Sequence, residues 1–305
     1  MKHSLKVTIL LVIMFFITQL LGLSVVGTYS PQVKQLVTEN GTIVNETTYN
    51  LPYWTNPPTG ITPQSALVSI IIAIFFAVAI MLILMKYQVE FILRLWFFLV
   101  ISLALGITIN SFLINVQYSS IISLLIAVPL SFTKIFKRGM ITHNVTELLI
   151  YPGIAAIFVP LLSVTSAFLL LVLISIYDIY AVWQAGFMQK MAQYQIKTLK
   201  LFSGFFVPYI GQKEREALMC KDKAKRKKVK VSMAILGGGD VVFPIIFAGV
   251  VLNALGFLSA LCISIGATIA LAGLFYLSEK GKFYPAMPFI SAGCFLAYAL
   301  VHFIL

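Results

Sequence analysis

Charged residues are scarce in this chain of 305 residues, and acidic residues are the scarcest. Asp, Glu, Lys and Arg together supply 10% of the sequence, whereas hydrophobic residues supply 60%. Soluble globular domains carry about 25% charged residues, so this composition excludes one. The apolar residues come in blocks of about 20, the length with which a helix crosses a bilayer. We therefore predict an all-α polytopic membrane protein.

Cysteine and histidine are also rare, with three of each. The cysteines show neither paired nor metal-like spacing, so we predict no disulfide, no metal site and no cofactor. The histidines are scattered, and we expect solvated or interfacial positions for all three. These residues are Cys220, Cys262, Cys294, His3, His143 and His302.

The apolar runs predict nine transmembrane helices. Their approximate limits are 7–26, 65–85, 91–113, 119–133, two helices within 146–184 that divide near Ser163 to Ser166, then 231–252, 256–277 and 285–304. This gives an N-terminal part, 1–184, with an external loop at 27–64. A basic cytoplasmic loop at 185–230 and a C-terminal part at 231–305 follow, within one membrane-embedded unit.

The net charge of +12 does not indicate nucleic-acid binding, because Lys and Arg flank the apolar runs. The loop at 185–230 alone holds twelve Lys and Arg against three acids, and we expect it to be solvated near anionic lipid. If the N-terminus is cytoplasmic, every basic residue except Lys34 lies on the cytoplasmic side or at its interface. We therefore predict a cytoplasmic N-terminus, an extracellular C-terminus and residence in the cell membrane.

Two acids lie inside apolar runs, whereas the other eight lie in loops or at the ends of runs. Inserting a carboxylate near the bilayer centre costs about 2.5–3.5 kcal/mol, so the presence of Asp178 and Asp240 in these runs requires an explanation. The predicted topology places both in the cytoplasmic half, with Asp240 about nine helical residues, or about 14 Å, deep. We predict that helices six and seven pack together and pair the two acids.

Two further sequence motifs lie at or near the predicted depth of this pair. Gly237-Gly238-Gly239 precedes Asp240, and three glycines predict a loosened or bent helix, with tight helix packing as the alternative. Pro285-Ala286-Met287-Pro288 begins the last span. Proline is common in a first helical turn, but two prolines also remove two N–H donors and stiffen the segment near the acids.

A pair of carboxylates in a low dielectric shares one proton. The ionised member can take a proton from water, which attacks a carbonyl, while the protonated member donates to the carbonyl oxygen. Intramembrane acids also serve proton-coupled transporters and cation channels. No convincing internal repeat supports transport, and neither transport nor a prepilin-type peptidase explains the Pro-Ala-Met-Pro stretch.

Three short motifs together resemble those of the presenilin and signal-peptide-peptidase family of intramembrane aspartyl proteases, of the Gly-x-Gly-Asp type. They are Tyr177-Asp178, Gly237-Gly238-Gly239-Asp240 and Pro285-Ala286-Met287. The nine-span plan extends the resemblance over the whole chain, and the charge pattern has the presenilin orientation. The chain is most similar to a compact archaeal presenilin homologue. Met287 stands where the family usually has Leu, a residue of similar volume.

The resemblance implies an endopeptidase that hydrolyses peptide bonds within the transmembrane segments of other membrane proteins. It implies that Asp178 and Asp240 are catalytic, that no metal is needed and that no accessory subunit is required. Supporting roles are implied for Tyr177, which either orients Asp178 or packs, and for Gly237, Gly238, Gly239, Pro285, Ala286, Met287 and Pro288.

One more segment alternates basic and β-branched residues just before the seventh span. We hypothesise that Val229, Lys230 and Val231 pair with an unwound substrate by strand addition. A solvated linker is the alternative. Replacing Val229 or Val231 with Pro is expected to reduce cleavage.

Overall fold

A computed structural model describes residues 5–37, 43–58, 60, 62–87, 90–137, 139–182, 203–209, 232–278 and 284–304. These parts of the chain contain nine α-helices and four short strands. The helices are α1 Leu5–Thr28, α2 Pro63–Tyr87, α3 Glu90–Phe112, α4 Ser119–Phe132, α5 Met140–Phe158, α6 Val164–Tyr180, α7 Gly238–Leu255, α8 Phe257–Leu277 and α9 Met287–Ile304. A π-helical turn, Thr133–Lys137, extends α4.

Seven helical segments in the described ranges are long and apolar enough to cross a membrane. The other two apolar helices, α6 and α9, have 17 and 18 residues. Large apolar side chains on the outside of the bundle, such as Phe75 at 72% exposure, have the character of lipid-facing residues. The protein is therefore an integral multi-pass membrane protein.

The boundary between α5 and α6 lies where the sequence predicts it. The helix α5 ends at Phe158, and a short 3₁₀ turn, Val159–Leu161, follows. Ser163 then caps α6, because its hydroxyl accepts a hydrogen bond from the Ser166 amide at 3.2 Å. This prediction is confirmed.

The predicted helical fold is confirmed, and two short antiparallel hairpins that the sequence did not predict lie in the connections between helices. Strands β1, Gln32–Val37, and β2, Ile43–Thr48, pair within the loop that follows α1. Strands β3, Gly204–Tyr209, and β4, Ser232–Gly237, pair between α6 and α7. The seventh helix therefore begins at Gly238, not near residue 231, and part of the predicted solvated loop is a strand.

Helix α7 lies at the centre of the bundle, in contact with α1, α5, α6, α8 and α9. More than half of its residues are buried, whereas only 11% of the residues in the apolar window of α2 are buried. The helices α8 and α9 pack so closely that a Cβ on Gly266 would lie 2.6 Å from the Gly293 carbonyl oxygen. The helix α9 also contacts α6 and α7 directly.

Candidate active site

Asp178 lies near the end of α6 and is buried, with 8% of its surface exposed. Its Oδ2 accepts a hydrogen bond from the Met287 amide at 3.1 Å, and the Ala286 amide also donates to the carboxylate. Pro285 and Pro288 have no N–H to offer. The two amides between the prolines are therefore the ones that hold Asp178, which gives the Pro-Ala-Met-Pro stretch a physical role.

Asp240 lies in the first turn of α7. The chain reaches it as a strand that ends at Gly237, whose amide donates to the Asp240 carboxylate. The glycines therefore mark a strand-to-helix junction, where a loosened or bent helix was expected. The estimate of nine helical residues before Asp240 is wrong for the same reason, because six of those residues belong to β4.

The two carboxylates lie close enough to interact electrostatically. The packing of α6 against α7 brings them together, and this arrangement agrees with the predicted pairing. A hydrogen bond of 2.9 Å between the hydroxyls of Ser175 and Ser291 joins α6 to α9 one turn from Asp178. Each carboxylate thus faces the N-terminal end of a helix, Asp240 in α7 and Asp178 at α9, where backbone amides and the helix dipole favour an anion.

The three glycines of the junction have different surroundings. A Cβ on Gly238 would lie 2.7 Å from the Tyr151 hydroxyl and 2.9 Å from the Ser203 hydroxyl, so this position has no room for a side chain. A Cβ on Gly237 would lie 3.1 Å from the Asp240 carboxylate. Gly239 is exposed and would make only ordinary contact, at 3.7 Å, with the Phe243 ring. Gly238 therefore sets how closely the junction approaches α5.

The remaining predicted support residues surround Asp178. Pro285 and Met287 are buried, and Ala286 and Pro288 are partly buried, so the segment is enclosed by the bundle. Tyr177 lies beside Asp178 with 40% of its surface exposed. The substrate-pairing residues Val229, Lys230 and Val231 lie outside the described residues.

The strand β4 presents one edge that no described strand covers. Phe206 of β3 turns its amide and carbonyl away from β4, because both bond to the side chain of Asn144. Ile235 is the residue opposite Phe206 in β4. In an antiparallel pair, two opposite residues either bond to each other or both turn their backbone groups outward. The amide and carbonyl of Ile235 therefore point to the edge of β4 that faces away from β3. Met233, two residues away, has the same orientation.

A buried polar cluster on α5 and at the end of α4 was not found from the sequence. The Lys134 ammonium donates to Glu147 Oε1 at 2.5 Å, and both residues are at most 5% exposed. His143 is 8% exposed and bonds to the Gly204 carbonyl at 2.9 Å, so the expectation of a solvated or interfacial histidine is wrong. A sequence feature that could have indicated this cluster is the opposite charge of Lys134 and Glu147, which lie at the two ends of the connection between the fourth and fifth predicted helices.

Comparisons with known proteins bear on the family and on the fold. A sequence model of the family described as signal-peptide peptidase, presenilin aspartyl protease matches residues 50–305. A search of curated proteins found no match. The fold is similar to the structure of a presenilin family intramembrane aspartate protease in the C222 space group, with 16% identity, a TM-score of 0.61, and coverage of 98% of this chain and 99% of the other.

A second structure, of a presenilin family intramembrane aspartate protease in the P2 space group, gives 16% identity and a TM-score of 0.60, with 97% of each chain covered. At this identity the two structures show a shared fold. The family assignment comes from the sequence match, which covers most of the chain. The chain belongs to the signal-peptide peptidase and presenilin family of aspartyl proteases.

Proposed function

We propose that Asp178 and Asp240 are the catalytic pair of this intramembrane aspartyl endopeptidase. The observation that carries the proposal is the convergence of two carboxylates from different helices, each bonded to backbone amides at the start of a helix. Family membership favours proteolysis, and none of the comparisons favours the proton-coupled transporter or cation channel. The pair shares one proton, so that one acid activates water and the other protonates the scissile carbonyl.

The experiment is cleavage of a single-span peptide by the purified protein in liposomes. Asp178→Asn and Asp240→Asn preserve the side-chain shape but remove the acid, and each is expected to lower kcat by about 10²–10⁴-fold. Asp222→Asn, which removes an acid of the loop at 185–230, is the matched control and should retain activity. Wild-type activity in a folded Asn variant at either position would refute the paired mechanism.

The same experiment tests whether the chain acts alone. We propose that it needs neither an accessory subunit nor a cofactor, because the site is built from three segments of one chain, at α6, α7 and α9. Cleavage by the purified single chain supports this proposal. Activity that returns only after a membrane extract is added would refute it.

We propose that an unwound substrate pairs with the open edge of β4. The amides and carbonyls of Met233 and Ile235 turn toward that edge, and the strand leads directly into Gly237 and Asp240. A scissile bond must leave its helical hydrogen bonds before water can attack its carbonyl, and strand addition holds it in that extended form. The hypothesis for Val229, Lys230 and Val231 concerns the residues just before this strand.

Proline substitutions distinguish the roles of the two edges of β4. Ile235→Pro removes an amide that points to the open edge, so the hairpin is expected to persist while cleavage falls at least tenfold. Leu236→Pro removes an amide that faces Phe205 of β3 and should disrupt the hairpin itself. Full cleavage by the folded Ile235→Pro variant would refute pairing at this edge.

We also propose that the nine helices place the N-terminus in the cytoplasm and the C-terminus outside, in the cell membrane. The distribution of Lys and Arg supports this orientation. It places the ends of α6 and β4, and with them the two acids, toward the cytoplasmic side.

A further inference from the structure

One face of α5 holds the hairpin that leads to Asp240. His143, Asn144, Glu147 and Tyr151 recur at the spacing of one helical face. The Tyr151 ring packs edge to face on Phe205, with centroids 5.7 Å apart. The helix therefore meets the hairpin along its length, and the contact is polar at one end and aromatic at the other.

Asn144 takes the place of a third strand beside β3. Its Nδ2 donates to the Phe206 carbonyl at 2.9 Å, and its Oδ1 accepts from the Phe206 amide at 3.3 Å. A neighbouring strand would satisfy the same two groups in the same way. The side-chain amide therefore closes the outer edge of β3 at Phe206.

His143 closes the next position along that edge. Its Nε2 lies 2.9 Å from the Gly204 carbonyl oxygen, and because a carbonyl accepts, the ring nitrogen donates. The ring also packs against Phe206, with centroids 4.5 Å apart. Glu147 lies 3.6 Å from the same nitrogen and is itself held by Lys134. The buried ion pair thus fixes the side chain that holds Gly204.

Pro208 completes the closed edge. It is two residues beyond Phe206, so its nitrogen faces the same outer edge, where it has no N–H to offer a partner. The outer side of β3 is thus occupied by Asn144 at Phe206 and by His143 at Gly204, and lacks a donor at Pro208. The outer side of β4 has no such closure in the described part of the chain.

We propose that Asn144 and His143 are positioning residues that make the hairpin selective for substrate addition at β4. With β3 closed, an extended substrate pairs at β4, and because Asn144 and His143 anchor the hairpin to α5, they fix where β4 holds that substrate relative to Asp178 and Asp240. The proposal rests on the proposed catalytic pair and on strand pairing at β4. It assigns the choice of cleavage position to side chains of α5 that do not touch the reacting atoms.

The test replaces Asn144 with Leu, which has a similar volume but can form neither of the two hydrogen bonds to Phe206. The cleavage products of a single-span peptide are measured by mass spectrometry, together with kcat and KM. We expect a roughly tenfold loss of kcat/KM from the loss of the two bonds, mainly through KM, and new products shifted from the original position. Asn144→Gln retains both bonding groups and should restore part of the activity and the original product pattern.

Asn253→Leu is the matched control. Asn253 is also a half-buried helical asparagine, and its Oδ1 accepts from the Ser30 hydroxyl at 3.0 Å, at the opposite end of α7. This variant should keep the wild-type product pattern even if its melting temperature falls. If Asn144→Leu likewise lowers the melting temperature but leaves the products unchanged, the role of Asn144 is purely structural and the proposal is overturned.

A second measurement does not depend on catalysis. Hydrogen exchange of the segment 203–209 is expected to accelerate about tenfold in Asn144→Leu, because the Phe206 amide loses its acceptor. Unchanged exchange would overturn the anchoring role of Asn144. If the wild-type protein shows no cleavage that depends on Asp178 and Asp240, the proposed function fails, and the exchange experiment still decides the anchoring role by itself.

Discussion

Gly238 provides the sharpest test of the junction between strand and helix. Replacing it with Ala would put a Cβ 2.7 Å from the Tyr151 hydroxyl and 3.0 Å from Tyr151 Cε1. Ordinary contacts of a Cβ begin near 3.4 Å, so the junction or the ring must move by about 0.7 Å. Tyr151 is 2% exposed and packs on Phe205, so it cannot swing into solvent.

The displacement acts on catalysis because Asp240 follows two residues later. A misplacement of about 1 Å in an active site can cost about 100-fold in rate, so we expect kcat to fall by roughly 10- to 100-fold. Overpacking also costs about 1–3 kcal/mol of stability, which should be visible as a lower melting temperature. The assay is cleavage of a single-span peptide in liposomes, together with thermal unfolding.

A matched substitution separates this effect from a general effect of alanine. A Cβ on Gly273, near the C-terminal end of α8, would meet no atom within 4 Å, so Gly273→Ala should keep full activity. Tyr151→Phe removes the hydroxyl, and combined with Gly238→Ala it should recover part of the lost rate. Wild-type kcat in Gly238→Ala would refute the argument that this contact sets the position of Asp240.

Three other outcomes follow from the same geometry. Met287→Pro removes an amide that donates to Asp178 and should lower kcat at least tenfold, whereas Met287→Leu should be nearly neutral, which peptide cleavage measures. Lys134→Met leaves Glu147 buried without its cation and should cost about 3–5 kcal/mol in unfolding experiments, a loss that the double change with Glu147→Leu should largely remove. A cysteine at the fully exposed Trp54, in a cysteine-free background, should react with an impermeant reagent from outside intact cells, and labelling only after lysis would contradict the proposed orientation.

The sequence predicts most of the helices because most of the apolar runs have polar ends. Ser163 marks the division of the long run at 146–184, and the same residue caps α6. The two acids are recognisable because a carboxylate within an apolar run has a high cost that packing alone does not explain. Local composition is sufficient for these features.

The hairpin depends on contacts that the sequence does not display. Met233, Ala234, Ile235 and Leu236 form an apolar run that fits the start of a helix as well as a strand. Pairing with β3, more than twenty residues earlier, decides in favour of the strand. The role of Asn144 is equally hidden, because a polar residue near the start of a helix usually faces solvent or caps the helix.

We expect the site to respond to the thickness of the surrounding membrane, because Asp178 lies beside the first turn of α9. The described residues of α9, Met287–Ile304, span about 27 Å at 1.5 Å per residue, close to the roughly 30 Å of a typical hydrocarbon layer. A group at the end of such a helix lies near the headgroups of a thin bilayer and deeper in the hydrocarbon of a thick one. We therefore expect longer acyl chains to oppose the entry of water at the acids and to slow peptide cleavage.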